Sequence, residues 1–288
     1  MQKKSYVKYL LALILFGTNG IVASFISLNS YEIVFLRTLI GGALLVAIFL
    51  STRPKISFYK HKRSFLFLII SGVAMGMNWM TLFEAYQLIG VSISTLICYC
   101  GPVIVMALSP IVFQEKLTVI KVGGFIAVLI GLFFINNQAL AFGKPNAGLI
   151  FAGISAVMYA IMVIFNKKAT KIVGMENATV QLLCSLITVT IFVGFKQGFV
   201  FHVATTDWIP IIILGLINTG IGCYLYFSAI GKIPAQSVSI LGYLEPLAAV
   251  AFSALFLNEI LSPLQMVGAV LIIGGAIFGE AFRRRKIN

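Results

Sequence analysis

Residues 92–117, SISTLICYCGPVIVMALSPIVFQEKL, recur in altered form as residues 236–261, QSVSILGYLEPLAAVAFSALFLNEIL. The two segments align without a gap at a shift of 144 residues, and the same shift continues into the flanking sequence. The identical pairs include Tyr99 and Tyr243, Pro102 and Pro246, Ser109 and Ser253, Glu115 and Glu259, Gly124 and Gly268, and Gly131 and Gly275. An internal repeat fixes the architecture before any single residue is interpreted. We therefore predict two related domains, residues 1–142 and residues 143–288.

The composition of the chain indicates that most of it lies in lipid. Apolar residues make up 60% of the sequence and charged residues 10%, whereas an ordinary soluble domain carries about 25% charge. Long apolar stretches approach the ~20 residues that cross a bilayer as a helix. Backbone polar groups must be paired within hydrocarbon, and no alternating barrel-type strands occur, so we predict helices. The predicted fold class is an all-α integral membrane protein.

We predict ten membrane spans, at residues 9–26, 31–50, 64–88, 91–113, 119–135, 147–165, 177–195, 208–230, 235–257 and 264–282. Each half contains five of them, so the second half crosses the membrane in the opposite direction from the first. The halves are then two inverted five-helix repeats. This arrangement is typical of secondary transporters, in which a central site is exposed alternately to each side. Duplication also stabilises channels and membrane enzymes, so the repeat alone leaves those classes open.

The formal net charge of +13 is explained by membrane topology. If the N-terminus is cytoplasmic, an even number of spans places the C-terminus in the cytoplasm too. Only Lys144 and Lys196 then lie outside and Arg37 lies within a span, while the other lysines and arginines fall on the cytoplasmic side. This is the positive-inside asymmetry of a multi-pass protein of the cell inner (plasma) membrane. The charge therefore gives no reason to predict a nucleic-acid partner.

The sequence carries no signature of an enzyme, a motor or a metal site. The longest connections, residues 51–63 and 196–207, are too short for a folded domain, and the G-x-x-x-x-G-K-[ST] pattern is absent. Energy must then come from an ion or substrate gradient. His61 and His202 fall in connections on opposite sides, and neither H-E-x-x-H nor G-x-S-x-G occurs. The cysteines fall within spans and form no C-x-x-C pair, so we predict no metal, disulfide or cofactor.

Spans 4 and 9 carry matching polar stripes. The stripe Ser92, Thr95, Tyr99 and Pro102 becomes, at the 144-residue shift, Gln236, Ser239, Tyr243 and Pro246. Intervals of three or four residues place each stripe on one helical face. These faces either hydrogen-bond across helix interfaces or line a central cavity. Each proline removes a backbone hydrogen bond near mid-helix, so Pro102 and Pro246 are candidate hinges.

Two charged residues lie deep within predicted spans, where an ionised side chain costs about 3 kcal/mol or more. Arg37 lies about 9 Å below the outer end of span 2. It is a candidate for substrate binding, or else it snorkels outward or pairs with Glu32. Glu245 lies about 15 Å along span 9, near the midplane, where desolvation favours the protonated carboxyl. It is a candidate proton carrier or amine partner, or else a neutral residue in a helix interface.

Further polar residues are candidates for substrate binding or for structural roles. Glu84, with Trp79 nearby in sequence, forms either an aromatic-walled opening for an amine or a solvated rim carboxylate. Asn19 at mid-depth in span 1 bonds either substrate or a neighbouring helix. Glu115 and Glu259, both at helix ends, are predicted to be structural. The paired glycines of spans 5 and 10 indicate close helix packing, either within the bundle or in a homodimer.

The order of these motifs resembles the drug/metabolite transporter superfamily, and specifically a chain with two EamA domains. The resemblance is carried by Phe35-Leu36-Arg37, by Gly101-Pro102 followed by Gln114-Glu115-Lys116-Leu117-Thr118, and by Leu244-Glu245-Pro246-Leu247 followed by Asn258-Glu259-Ile260-Leu261-Ser262. It covers nearly the whole chain. Members of this family are mostly exporters of amino acids and other small metabolites, some coupled to protons, and others move nucleobases, choline-like cations or cofactors. The resemblance implies transport without choosing a substrate.

Our hypothesis from the sequence is export of a small zwitterionic metabolite, an amino acid, by alternating access in exchange for protons. Arg37 would attract the carboxylate and Glu245 or Glu84 the amine, in a cavity walled by Tyr99, Tyr243 and Trp79. The alternative substrate is a cationic or aromatic drug or a choline-like compound, since two intramembrane acids accompany a single arginine. The expected partners are the substrate, the lipid bilayer and protons, and the chain is a monomer or a homodimer.

Overall fold

The computed structural model describes residues 2–52, 56–135, 146–256 and 262–281. Its helices are α1 (Gln2–Gly17), α2 (Asn19–Ser24), α3 (Ser30–Thr52), α4 (Lys62–Ile89), α5 (Val91–Cys98), α6 (Cys100–Phe113), α7 (Val119–Ile135), α8 (Asn146–Lys168), α9 (Met175–Lys196), α10 (Trp208–Ile213), α11 (Gly222–Ile230), α12 (Ala235–Gly242), α13 (Leu244–Phe256) and α14 (Pro263–Ala281). A π-helical segment (Leu214–Ile221) joins α10 to α11. No strand occurs in the described ranges. Glu259 and the sequence between α7 and α8 lie outside them.

Within the described ranges, eight helical stretches are long and apolar enough to cross a bilayer. Two shorter apolar helices, Val119–Ile135 and Pro263–Gly279, occupy the positions of predicted spans 5 and 10. Large apolar side chains face outward from the bundle, including Ile111 (79% exposed), Phe195 (90%) and Val270 (69%). Apolar exposure on this scale requires lipid rather than water around the helices. The predicted all-helical class is confirmed, and the chain is a multi-pass membrane protein.

Predicted spans 4 and 9 are each interrupted at a tyrosine. Helices α5 and α6 meet at Tyr99, and α12 and α13 meet at Tyr243. Pro102 and Pro246 follow three residues later, in the first turn of the second segment. A proline in a first turn removes no intrahelical hydrogen bond, so the helix can restart there without strain. The helix is therefore interrupted ahead of each proline. Predicted span 1 is also interrupted, at Thr18 between α1 and α2.

Helices α7 and α14 pack against each other through glycines. A Cβ atom added to Gly131 would lie 2.6 Å from the carbonyl oxygen of Gly268, and one added to Gly124 would lie 2.6 Å from that of Gly275. Such distances leave no room for any side chain, as close helix packing in membranes requires. The contact moves from Gly275 to Gly268 as α7 advances from Gly124 to Gly131, so the two helices are antiparallel. These glycine faces were predicted to pack either within the bundle or in a homodimer, and they pack against each other within the chain.

Candidate functional site

A cavity of about 160 Å³ lies in the middle of the bundle. Helices from both halves of the chain surround it: α1 to α5 from the first half, and α8, α11 and α13 from the second. Five of the predicted site residues line it, namely Asn19, Arg37, Trp79, Tyr99 and Glu245. The structure thus brings together side chains that are up to 226 residues apart in sequence, from Asn19 to Glu245 (245 − 19 = 226).

The cavity is displaced toward the end of the bundle that is poor in lysine. Along α4 its lining runs from Met75 to Tyr86. Tyr86 lies three residues, or about 4.5 Å, from the end of α4 at Ile89, whereas Met75 lies about 20 Å from the basic start of the helix at Lys62. The interior at the basic end is filled instead by buried side chains such as Tyr9 and Tyr243, each 0% exposed. A solute in the cavity is therefore separated from the basic end by packed protein.

Arg37 projects from α3 into the cavity and is almost completely buried, with 8% exposure. Its Nε–H donates a hydrogen bond of 2.9 Å to Oγ1 of Thr219, and its guanidinium lies 4.9 Å from the centre of the Trp79 ring. Thr219 in turn donates to the carbonyl oxygen of Leu214, five residues earlier, in the π-helical segment. π-helical turns are rare, and those that occur are often at functional sites. Here it places a hydroxyl where it orients the guanidinium.

No carboxylate in the described part of the chain lies within ion-pair distance of Arg37. The suggested pair with Glu32 is wrong, because Glu32 accepts a hydrogen bond from the backbone N–H of Asn29 at the start of α3. Asn29 accepts from the N–H groups of Tyr31 and Glu32, completing a reciprocal cap. The suggested snorkelling is wrong as well, since the guanidinium is buried beside Trp79. The positive charge of Arg37 is left facing the cavity.

Glu245 lies in the first turn of α13, directly after the interruption at Tyr243. The positive end of a helix dipole is a favourable place for a carboxylate. Its side chain lines the cavity and, within the described ranges, makes no hydrogen bond to another residue. Glu245 therefore faces the cavity, and the roles predicted for it, proton carrier, amine partner or neutral residue in a helix interface, stay predictions. Arg37 and Glu245 share one cavity without contacting each other.

Asn19 begins α2 immediately after the interruption at Thr18 and lines the cavity. Its Oδ1 atom is buried and has no hydrogen-bond partner in the described part of the chain. Buried acceptors are nearly always satisfied, by protein, water or ligand. The interruption itself is held by Asn218, whose amide donates to the carbonyl oxygen of Leu15 and to Oγ1 of Thr18. Asn19 therefore presents an available acceptor on a fixed turn.

The two tyrosines at the helix interruptions differ in their surroundings. Tyr99 lines the cavity, but Tyr243 is fully buried behind it, with the ring centres 5.9 Å apart. The Tyr243 hydroxyl donates a hydrogen bond of 2.6 Å to the backbone carbonyl oxygen of Tyr99, at the interruption. The prediction that Tyr243 walls the cavity is therefore wrong. Tyr243 supports the turn that positions Tyr99.

Glu84 lies away from the cavity, although Trp79 on the same helix lines it. Its carboxylate forms an ion pair of 2.5 Å with the ammonium of Lys196, at the end of α9. Lys196 also lies 6.0 Å from the centre of the Tyr31 ring. The predicted amine-binding opening around Glu84 is therefore not present in this arrangement. The suggested solvated rim carboxylate is replaced by an ion pair between the buried Glu84 and the exposed Lys196.

Thr95 of the polar stripe and tyrosines that were not candidate site residues complete the wall. The hydroxyls of Tyr159 and Tyr226 lie 3.4 Å apart at the inner limit of the cavity. Near the other limit the Thr95 hydroxyl donates to the Tyr86 hydroxyl at 3.2 Å. Tyr159 and Tyr226 could have been found as tyrosines near mid-depth in spans 6 and 8. They were missed because the 144-residue shift aligns both tyrosines with leucines, so comparing the two repeats did not single them out.

The basic end is closed by contacts between the two halves. The carboxylate of Glu115, just after α6, accepts hydrogen bonds from the backbone N–H groups of Ala235 at 2.7 Å and Gln236 at 3.1 Å. The Gln236 side chain donates to the hydroxyl of Ser109 and accepts from Lys121. Glu115 was predicted to be structural, and its position at a helix end suggested a role within its own half. It caps the first turn of α12, in the other half of the chain, instead.

The cavity offers no set of ligands for a metal. Among the described residues, no group of three or more His, Cys, Asp and Glu side chains comes together. The charged groups that face the cavity are instead one guanidinium and one carboxyl, accompanied by amide, hydroxyl and thiol groups. A multi-pass helical bundle that surrounds one such cavity, closed at one end by contacts between its halves, is the architecture of a small-molecule membrane transporter.

Comparison with known proteins agrees with this class. The model of the EamA-like transporter family matches residues 3–137 and again residues 146–278, and the chain belongs to this family. The chain is 25% identical to the uncharacterized transporter YxxF of Bacillus subtilis (strain 168), over 98% of this chain and 91% of that protein. It is 26% identical to a protein of Salmonella typhimurium named a probable amino-acid metabolite efflux pump, over 62% of this chain and 64% of that protein.

A solved structure shows the same fold. A crystal structure superposes on 98% of this chain and 100% of its own with a TM-score of 0.83, at 17% sequence identity. The family model matches both halves of the chain, as the resemblance noted in the sequence implies. Transport of a small molecule across the membrane is thus the activity of the family to which the chain belongs.

Proposed function

We propose that the chain is a secondary active exporter of small zwitterionic metabolites, with amino acids as the substrate class. The observation that supports this most directly is the pair of opposite charges in the cavity. Arg37 and Glu245 both face it, and no ion pair joins them, so each is available to a solute. A solute with a carboxylate and an amine satisfies both, with Asn19 as a further acceptor for the amine. A neutral or singly charged solute leaves one charge uncompensated in a low dielectric.

The size of the cavity also favours a small metabolite. Its volume of about 160 Å³ is below the roughly 300 Å³ at which sites for drug-sized ligands begin. The aromatic walls formed by Trp79, Tyr86 and Tyr99 suit an apolar side chain of the substrate. A cationic or aromatic compound remains the second candidate, because those same rings can bind a cation by its charge. A cationic substrate would leave Arg37 without a partner.

For the architecture we propose ten spans in two inverted repeats, residues 1–142 and 143–288, with both termini in the cytoplasm and the protein in the inner (plasma) membrane. The glycine contacts between α7 and α14 support this. At the 144-residue shift Gly268 is the counterpart of Gly124, and Gly275 that of Gly131. Each glycine contacts the counterpart of the other. Reciprocal contacts of this kind, between antiparallel helices, are expected where a two-fold axis passes between two equivalent elements.

Transport would proceed by alternating access. The contacts of Glu115 with α12 close the basic end, while the cavity approaches the opposite end. Export requires these contacts to break, so that the cavity can be loaded from the cytoplasm. The interruptions at Tyr99 and Tyr243, ahead of Pro102 and Pro246, are the places where the two halves can change direction at low cost. Glu245 lies beside one of them. Because its single carboxyl would bind either a proton or an amine, protonation and amine binding would exclude each other.

The test is flux through purified protein in proteoliposomes. Labelled amino acids, a choline-like cation and a neutral sugar are offered with and without an imposed pH gradient. We expect saturable amino-acid flux that the gradient stimulates. E245Q should retain exchange without the stimulation, and R37Q should lose amino-acid flux. E84Q is the matched control, because Glu84 is an acid of the same bundle that lies off the cavity. Amino-acid flux that is the same with and without the pH gradient excludes proton coupling. Flux of the choline-like cation without amino-acid flux excludes a zwitterionic substrate.

A further inference from the structure

A second recess lies at the basic end of the bundle, separate from the central cavity. It has a volume of about 640 Å³ and lies between the start of α4 and the end of α8. Its rim is formed by cationic side chains, including Lys62, Arg63, Lys168 and Lys171, and Phe67 and Phe113 form part of its wall. No acidic side chain lines it among the described residues. Cations from two separate segments of the chain therefore converge on one concave surface.

The charges around this recess are not neutralised by the protein. Glu176, at the start of α9 beside α8, uses both carboxylate oxygens to accept hydrogen bonds from the backbone N–H groups of Ser57 and Phe58 and from the Ser57 hydroxyl. The first turn of α4 adds positive potential, because its N-cap, His61, makes no side-chain hydrogen bond to the exposed N–H groups. Like charges repel, so this convergence is costly without an anion.

One of the cations is built into the protein. Lys167 is 8% exposed, and its ammonium donates to the carbonyl oxygens of Ile230, at 3.0 Å, and of Ile233. It also lies 5.4 Å from the centre of the Phe113 ring. These contacts fix its charge at the base of the recess and attach it to the turn between α11 and α12. An anion bound there would therefore lie next to the contacts that close the basic end.

We propose that this recess binds the phosphate headgroup of an anionic phospholipid of the cytoplasmic leaflet. Basic residues immediately beside membrane helices attract anionic lipids, and basic pockets between such helices hold their headgroups. Positive-inside topology by itself requires basic connections but does not require them to converge. Arg63 stacks on Phe67, at 5.6 Å from the ring centre, so the charged rim meets an apolar surface of α4. That junction of charge and apolar surface matches a headgroup with its acyl chain, rather than a free anion.

The experiment measures binding of lipid to the full chain in nanodiscs and in detergent. Phosphatidylglycerol is titrated against a phosphatidylcholine background, and binding is followed by the shift in apparent melting temperature. The variant K62Q/R63Q/K171Q removes three charges from the rim. Each basic residue that lies against a bound anionic headgroup contributes roughly fivefold in affinity, so we expect affinity for phosphatidylglycerol to fall on the order of 100-fold. The charge-preserving variant K62R/K171R should bind as the unchanged protein does.

The matched control, K3Q/K4Q/K232Q, removes three lysines from the same side of the membrane but outside the recess. It should lower affinity by less than about threefold. Equal losses in the two triple variants would show that only the general surface charge matters and would overturn the proposal. Inorganic phosphate and glycerol phosphate form separate arms. Stabilisation by either at the concentration at which the lipid stabilises would identify a site for free phosphates and would equally overturn it. A rim variant that no longer melts cooperatively is replaced by K171Q alone, with an expected loss of about fivefold.

Discussion

Replacing Glu115 with glutamine should open the basic end of the transporter. The carboxylate accepts two backbone hydrogen bonds at the start of α12, across the boundary between the halves. Hydrogen bonds to a charged group contribute about 1.5–3 kcal/mol each when buried. Glutamine keeps one acceptor oxygen, so the substitution removes one such bond and the charge. Because Glu115 is only half-buried, the lower limit applies, and about 1.5 kcal/mol shifts the ratio of closed to open forms by roughly tenfold.

Cys98 offers a reporter for this shift, since it lines the cavity and is 9% exposed. With the other cysteines replaced by alanine, its reaction with a membrane-impermeant thiol reagent is timed from each side of the membrane. E115Q should react roughly tenfold faster from the side of the termini. E32Q is the matched control, because Glu32 caps α3 within a single connection. An unchanged rate in E115Q, or the same increase in E32Q, would refute the assignment of Glu115 to closure.

Three further substitutions test the site and the packing. Arg37→Lys removes the planar group that stacks on tryptophan, and initial rates of amino-acid flux should fall at least about tenfold; unaltered rates would count against a substrate role. Gly131→Ala forces a methyl group against a helix backbone and should cost about 1–3 kcal/mol, seen as a lower melting temperature. Gly274→Ala, where an added Cβ meets nothing within 4 Å, should melt as the unchanged protein does. Tyr243→Phe removes the hydrogen bond to the Tyr99 carbonyl and should cost about 0.5–1.5 kcal/mol while flux persists; abolished flux in a stable protein would return Tyr243 to the binding surface.

The sequence predicted the helices well because lipid imposes a simple rule on them. An apolar run of sufficient length must be helical, so the observed helices begin and end close to the predicted spans. The repeated prolines also located the interruptions to within one turn. The π-helical segment, Leu214–Ile221, was not predicted. Within it the Thr219 hydroxyl donates to the Leu214 carbonyl and accepts from Arg37, and neither bond has a local sequence signal.

A position deep within a predicted span could be read from the sequence, but the identity of neighbours could not. Arg37 and Glu245 were singled out because they lie deep within predicted spans, and both line the cavity. Glu84 has an equally suggestive sequence position, yet its partner is Lys196, on a helix that the sequence gives no reason to place beside it. Tyr243 shares a helical face with residues of the polar stripe, but periodicity does not say what covers that face. Contacts between distant helices decide both cases.

Under the proposed function, the positions at which the two repeats differ explain how a chain of two repeats can hold one asymmetric solute. Gly101, the counterpart of Glu245, has no space for a side chain, since an added Cβ would lie 2.7 Å from the ring of Tyr159. Gln181, the counterpart of Arg37, is fully buried, and its amide oxygen accepts a hydrogen bond from Asn166. A strictly symmetric chain would bring two arginines and two glutamates to the same centre, where like charges are costly to hold together. Restricting each charge to one repeat leaves a single guanidinium and a single carboxyl, while the interruptions at Tyr99 and Tyr243 are kept in both halves. We infer that duplication supplies the two-sided movement, and that the loss of symmetry at these two positions supplies the binding site.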